Sequence, residues 1–376
     1  VEFEKLIESQ YITRSMQGRA DELVIQAKEL NYKNTISSKL SNLSLQLYGI
    51  MLKTGYVRSD EEYKYIDDYF NKHISKFDEK KFGFRERYWY FNANLWRSFL
   101  VQDFLSCYKF SHKWVTLFYD NRNMIFLNPV FFLKGNHYLL ESLFMLKYKT
   151  NFKKYLEMLE ETINDPQFPV NDNITSLSFL YLYNNKLNYH ILEGTFAEAE
   201  YLIPEVLDKI NLHSEHLDEH HEMLFYYKIA CIYFGNEKYN ECVFYLEKII
   251  NNKNLYVRED LACFARLLCL IAHYESGKDF NLENQLVSTY KFLIKMNDLH
   301  EVQKEIIRFL KKLSTIYPSD IKKEFIKVKE RFVELEKNTY EKRAFLYLDI
   351  ISWLESKIEN RKIGDIIKEK AKLSNR

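Results

Sequence analysis

An aromatic residue opening a helix, with a small or adaptable side chain three positions later, recurs along this chain of 376 residues. It reads Phe104 with Cys107, Phe196 with Ala199 and Tyr239 with Cys242, with weaker copies at Phe152 and Phe280. Successive aromatics are spaced 48, 44, 43 and 41 residues apart. A period of that length belongs to stacked helical hairpins, in which each unit buries its apolar face against the next.

In the clearest copy Ala230 and Tyr233 share one face of a first helix, and Gly235-Asn236 ends it. Tyr239, Cys242, Leu246 and Ile249 then form an apolar stripe at three- and four-residue spacing on the second helix. A second copy places Phe196, Ala199 and Ile203 after a break at Gly194. Further breakers stand at Gly55, Asp120-Asn121, Pro166 to Pro169, Gly277 and Pro318.

Composition agrees with long helices. Only 9 Gly and 5 Pro are present, too few for the tight turns of an all-β sandwich or barrel. No two glycines lie close enough for a phosphate-binding loop or a dinucleotide fingerprint, so no cofactor is expected. The pattern predicts about eighteen helices. Among them are 15–31 followed by 35–54, 196–211 with Pro204 inside it, 217–234 and 339–358.

At 228–250 and 193–211, and more loosely at 91–117 and 140–163, the chain resembles the tetratricopeptide repeat family. The spacing exceeds that family's 34 residues, which predicts longer helices. The resemblance implies an all-α, right-handed superhelical solenoid of antiparallel hairpins running as one array over 1–376. Residues 1–83 would be N-terminal helices, 84–297 the clearest repeats, and 298–376 solvated, lysine-rich capping helices.

That resemblance also implies a concave groove lined by the first helix of each pair. Its inward face would carry Trp89, Asn92, Trp96 and Phe99, then His137, Leu140, Phe144 and Lys147. Next would come Tyr181, Asn184, Asn188 and Ile191, then Leu224, Tyr227 and Phe234. An Asn amide donates and accepts at once, which matches a peptide bond. Asn92, Asn184 and Asn188 are therefore expected to hold a peptide or protein partner, with Trp89, Trp96, His137, Tyr181 and Tyr227 beside them. The function implied is that of a non-catalytic scaffold or adaptor. A peptide-sensing regulator like the bacterial quorum receptors built on similar repeats is the alternative.

Charge and thiols bound the setting. With 54 basic and 53 acidic residues, nothing favours general polyanion or nucleic-acid binding. The distribution is uneven: 192–260 is net −8 and 301–376 net +6, as solvated helix faces can give. Five cysteines in apolar runs suit reduced thiols in a cytoplasm. No apolar stretch is long enough to span a membrane. The chain opens on Val1 rather than Met, so a segment ahead of it is expected.

One motif suggests catalysis. His216 to His220 spells the H-x-x-E-H arrangement of inverted zinc peptidases, in which Glu219 would activate a metal-bound water. Two His four residues apart on a helix face the same way and could share a metal. The repeat register instead puts these residues in a loop and a first turn, so a solvated acidic connector is the expectation and a metal-dependent hydrolase the rival.

Overall fold

The computed structural model describes residues 17–74, 79–252, 259–277, 282–295, 300–313, 316–317, 319–347 and 349–374. Every regular element among the described residues is helical, and none is a strand. The predicted helix over 2–12 and the weak repeat aromatic Phe280 lie outside the described residues. Where the repeat suggested one array, the chain divides into two compact units, Val1–Asp120 and Asn121–Arg376.

The first unit holds α1 (Gln17–Thr54), α2 (Asp60–Ile74), α3 (Phe84–Leu100) and α4 (Phe104–Tyr119). Sequence periodicity predicted a break between 31 and 35, but α1 runs through it without interruption. Nothing there forces a stop. The stretch lacks Gly and Pro, and Thr35 turns its hydroxyl back to the Asn31 carbonyl at 2.9 Å, which keeps it inside the helix. Helix α3 packs on both α1 and α4. Tyr88 of α3 sets its ring edge-on to Trp114 and Phe118 of α4, with centroids at 4.9 and 6.5 Å.

The second unit begins with a short α5 (Asn123–Leu127), followed by α6 (Pro129–Met145), α7 (Lys149–Ile163) and α8 (Asp172–Glu193). The predicted helix at 196–211 is two, α9 (Phe196–Glu200) and α10 (Ile203–Leu212), with Pro204 in the first turn of α10. Proline suits that position because the first-turn N–H has no helical acceptor to lose. Then come α11 (Glu219–Gly235), α12 (Tyr239–Ile250), α13 (Glu259–Glu275), α14 (Leu282–Lys295), α15 (Glu301–Leu313) and α16 (Ile321–Glu336). The predicted helix at 339–358 is likewise broken, into α17 (Ala344–Tyr347) and α18 (Ile350–Glu359), before α19 (Ile363–Ser374). Asp349 caps α18 by accepting from the Ser352 N–H at 3.0 Å, which restarts the helix there.

One turn recurs. Gln102, Lys147, Gly194 and Glu237 all take left-handed backbone, with φ of 58, 56, 70 and 61°. In each turn the next N–H reaches back five residues: Asp103 to Ser98, Tyr148 to Leu143, Thr195 to His190 and Lys238 to Tyr233, at 2.9–3.0 Å. This is the Schellman closure, which satisfies the last carbonyls of one helix and reverses the chain into the next. Its positions follow the sequence period.

Only Gly194 of these four is glycine, and the reason is tertiary. A Cβ there would stand 2.6 Å from the Gly364 carbonyl oxygen and 3.0 Å from Ile367 Cβ, both on α19. Gly235 is glycine for space alone, since a Cβ would meet the Phe196 ring at 2.3 Å. Helix α19 thus lies against α8. The expectation of solvated C-terminal helices is corrected accordingly. Phe325, Val328, Phe332 and Leu335 align on one face of α16 and are buried, as are Trp353 and Leu354 of α18. The lysines occupy the opposite faces, so composition looked solvated while the spacing was amphipathic.

Candidate functional site

In the first unit, the predicted groove residues Trp89, Asn92 and Trp96 face neighbouring helices, and Phe99 is buried as well. Asn92 is 6% exposed, and its side-chain oxygen accepts from the Ser44 hydroxyl of α1. Trp96 is buried against Tyr48, with ring centroids 4.7 Å apart. Trp89 is half-buried beside Ile36, Leu40 and Phe82. All three sit where α1 supplies the covering surface.

In the second unit, the predicted residues of α6, α8 and α11 converge. His137 of α6 stacks on Tyr181 of α8, with centroids 4.6 Å apart and planes 15° from parallel. Lys228 of α11 donates to the Asn188 side-chain oxygen at 2.5 Å and to the Asn184 carbonyl at 3.4 Å. Asn185, which sequence reasoning omitted, is fully buried; it donates to the Tyr181 carbonyl at 2.7 Å and accepts from Asn188 at 3.4 Å. Tyr227 is buried on the same helix as Lys228. The Asn184 side-chain oxygen and His137 Nδ1 are buried with no hydrogen-bond partner among the described residues.

Burial sets the electrostatics. It drives the His137 imidazole down to about 3, with the Lys228 ammonium and His221 adding to the depression. His137 is therefore neutral at neutral pH, and its 3.7 Å approach to Glu141 is not an ion pair there. Burial also lifts the Cys231 thiol to about 12, against the partial opposition of Lys228. Neither group is poised for proton transfer or nucleophilic attack near neutrality.

Beside this layer lies a cavity of about 230 Å³. Phe144 of α6, Ile191 of α8, Phe234 of α11 and Leu268 of α13 line one side. Phe345, Ile363 and Ile367 of the C-terminal helices line the other. Phe144, Ile191 and Phe234 were expected on an inward face; the C-terminal wall and Lys149 were not. Lys149 opens α7 with no sequence signal distinguishing it from any other lysine of a helix start. Only the packing around it, which leaves it 7% exposed, sets it apart.

The H-x-x-E-H residues do not assemble as the motif requires. Helix α11 starts at Glu219, so His216 lies in the preceding turn and shares no helix face with His220. Asp218 is the N-cap, accepting from the His221 N–H at 2.9 Å. Among the described residues, no group of three or more His, Cys, Asp or Glu is placed to hold a metal ion. The five cysteines are free thiols, and all but Cys231 are buried.

No helix among the described residues is long and apolar enough to cross a membrane. No family model matches the chain, and no curated protein or solved structure shows significant similarity to it.

Proposed function

We propose that this chain is a non-catalytic binding protein that works in the cytoplasm. In this reading it is a tetratricopeptide-like, right-handed array of helical hairpins, and the inner face of Asn121–Arg376 holds a peptide or protein segment. The observation that carries the reading is a convergence. Residues at matching positions of three successive first helices, Phe144, Ile191 and Phe234, border one cavity, next to the layer of Tyr181, Asn184 and Asn188. The recurring Schellman turn supports the array, because it repeats with the period of the sequence. The displaced ionisation of His137 and Cys231 supports a role in binding rather than catalysis.

A peptide-sensing regulator is the second reading, favoured by one feature. The cavity has the repeats on one side and the C-terminal helices on the other, so an occupant touches both. Panning a displayed peptide library on the full chain and on Ile191→Lys tests the common core of the two readings. Related peptides recovered on the wild-type surface alone would support it. Equal recovery from both proteins, each shown folded by circular dichroism, would overturn it.

A further inference from the structure

The cavity of the second unit combines hydrocarbon walls with one unneutralised cation. Phe144, Ile191, Phe234 and Leu268 face Phe345 and Ile367 across it. Lys149 lines the same space and is 7% exposed, and no carboxylate among the described residues pairs with it. The other charged groups of the lining are engaged. Lys147 faces Glu336 at 3.5 Å; Lys370 pairs with Glu355 at 2.5 Å and donates to the Ser352 hydroxyl at 2.9 Å. Asp349 is committed to its cap, accepting from the Ser352 N–H at 3.0 Å and hydroxyl at 2.7 Å.

A buried ammonium without a paired counter-ion has lost hydration and regained only part of it. Burial holds Lys149 below the usual lysine range, and the more distant Glu193 and Asp349 only partly offset this. An entering anion would relieve that deficit, while the walls favour an apolar body. The size is restrictive, because at about 230 Å³ the cavity lies below the roughly 300–1,000 Å³ of drug-sized sites.

We propose that this cavity binds a small amphiphilic monocarboxylate, a free medium-chain fatty acid, with its headgroup on the Lys149 ammonium and its chain against Phe144, Ile191 and Phe234. The same three side chains carry the peptide reading, so a peptide and the fatty acid would compete for this cavity.

Calorimetric titration of the full chain with sub-micellar decanoate, octanoate, decanol and acetate tests it, using wild type, Lys149→Met, Lys149→Arg and the cavity-filling Cys231→Trp. Decanoate should bind one saturable site, about tenfold tighter than octanoate for the two added methylenes. Acetate should not saturate. Lys149→Met should weaken decanoate at least tenfold while leaving decanol unchanged, Lys149→Arg should restore decanoate, and Cys231→Trp should abolish both. Loss of a merely structural lysine would weaken decanoate and decanol alike, and that result would overturn the assignment. So would equal decanoate affinity for wild type and Lys149→Met, acetate binding as tightly as decanoate, or no saturable binding at all. An apolar tripeptide with a free C-terminus that displaces decanoate and binds more tightly would assign the site to peptide ends instead.

Discussion

Helix α3 of the first unit and helix α8 of the second both carry buried asparagines at positions expected to face a groove, yet the two interiors treat them differently. Around α3 several polar groups meet a matched partner close by, although the Gln102 side-chain oxygen has no hydrogen-bond partner among the described residues. Ser44 donates to Asn92, Ser37 donates to Glu86 at 3.1 Å, and Asn94 reaches the Tyr90 carbonyl at 2.8 Å. Around α8 the asparagines gather on the single ammonium of Lys228, and the Asn184 side-chain oxygen is left over. The asparagines of the first arrangement are satisfied, and a buried polar group that is satisfied contributes to a unique packing. The second leaves the Asn184 oxygen unsatisfied on the helix that also lends Ile191 to the cavity. Unsatisfied buried groups are uncommon enough in folded proteins to ask for an explanation, and a binding role is one.

The contrast can be broken most decisively at Lys228. Lys228→Ala should destabilise the protein by about 3 kcal/mol in urea titration, because it strips two acceptors of their donor and removes a packed stem. A loss no larger than that of a single neutral hydrogen bond would mean that the two interiors are energetically alike.

Gly194 tests whether the C-terminal wall belongs to the second interior. Gly194→Ala adds left-handed strain to a clash with α19 and should cost about 2 kcal/mol. Gly277 has the same hand of backbone (φ 66°) but no atom of the described residues within 4 Å of an added Cβ, and Gly277→Ala should cost about 1 kcal/mol. Equal melting-temperature shifts would detach α19 from the argument.

His137 sharpens the comparison through pH. Its folded value of about 3 lies below the unfolded value of about 6.5, so only the unfolded chain takes up a proton between them. The stability from a neutral His137 is fully present above pH ~6.5 and is lost as pH falls toward the folded value. Between pH 7 and 5 the loss should be about 2 kcal/mol by denaturant titration. His137→Phe should remove that share of the slope, even though burial of His190 and His213 pushes the same way.

The smallest effect is expected in the first interior. Ser44→Ala leaves the Asn92 oxygen without its donor and should cost about 1 kcal/mol, with no change in ligand binding. A larger loss, or any change in decanoate affinity, would blur the distinction between the units.

Much of the local structure was legible because local chemistry decides it. Asp120-Asn121 and Gly235-Asn236 lie at helix ends as expected, and Pro204 begins a helix because proline lacks the N–H an interior position needs. The joint predicted near residue 33 failed for the complementary reason. Asn, Tyr and Thr are mediocre helix formers, but they break nothing when tertiary packing holds the helix. The inward register of Phe144, Ile191 and Phe234 came from the resemblance to the repeat family, and the three side chains border one cavity. Asn92 and Asn184 could not be told apart in this way. One has Ser44 opposite and the other Lys228, and both partners come from other helices.

The sequence by itself determined that this chain is helical, roughly where most helices turn, and which faces are apolar. Hydrogen bonds within a helix and the closure of a Schellman turn span only a few residues, so their rules are written locally. The tertiary structure alone decided which apolar faces meet. It laid α19 on α8 through Gly194 and Gly364, covered Asn92 with α1, and buried Lys149 beside a cavity with no carboxylate paired to it among the described residues. Those outcomes depend on groups far apart in the chain, and burial gives each one its energetic weight only after they have met.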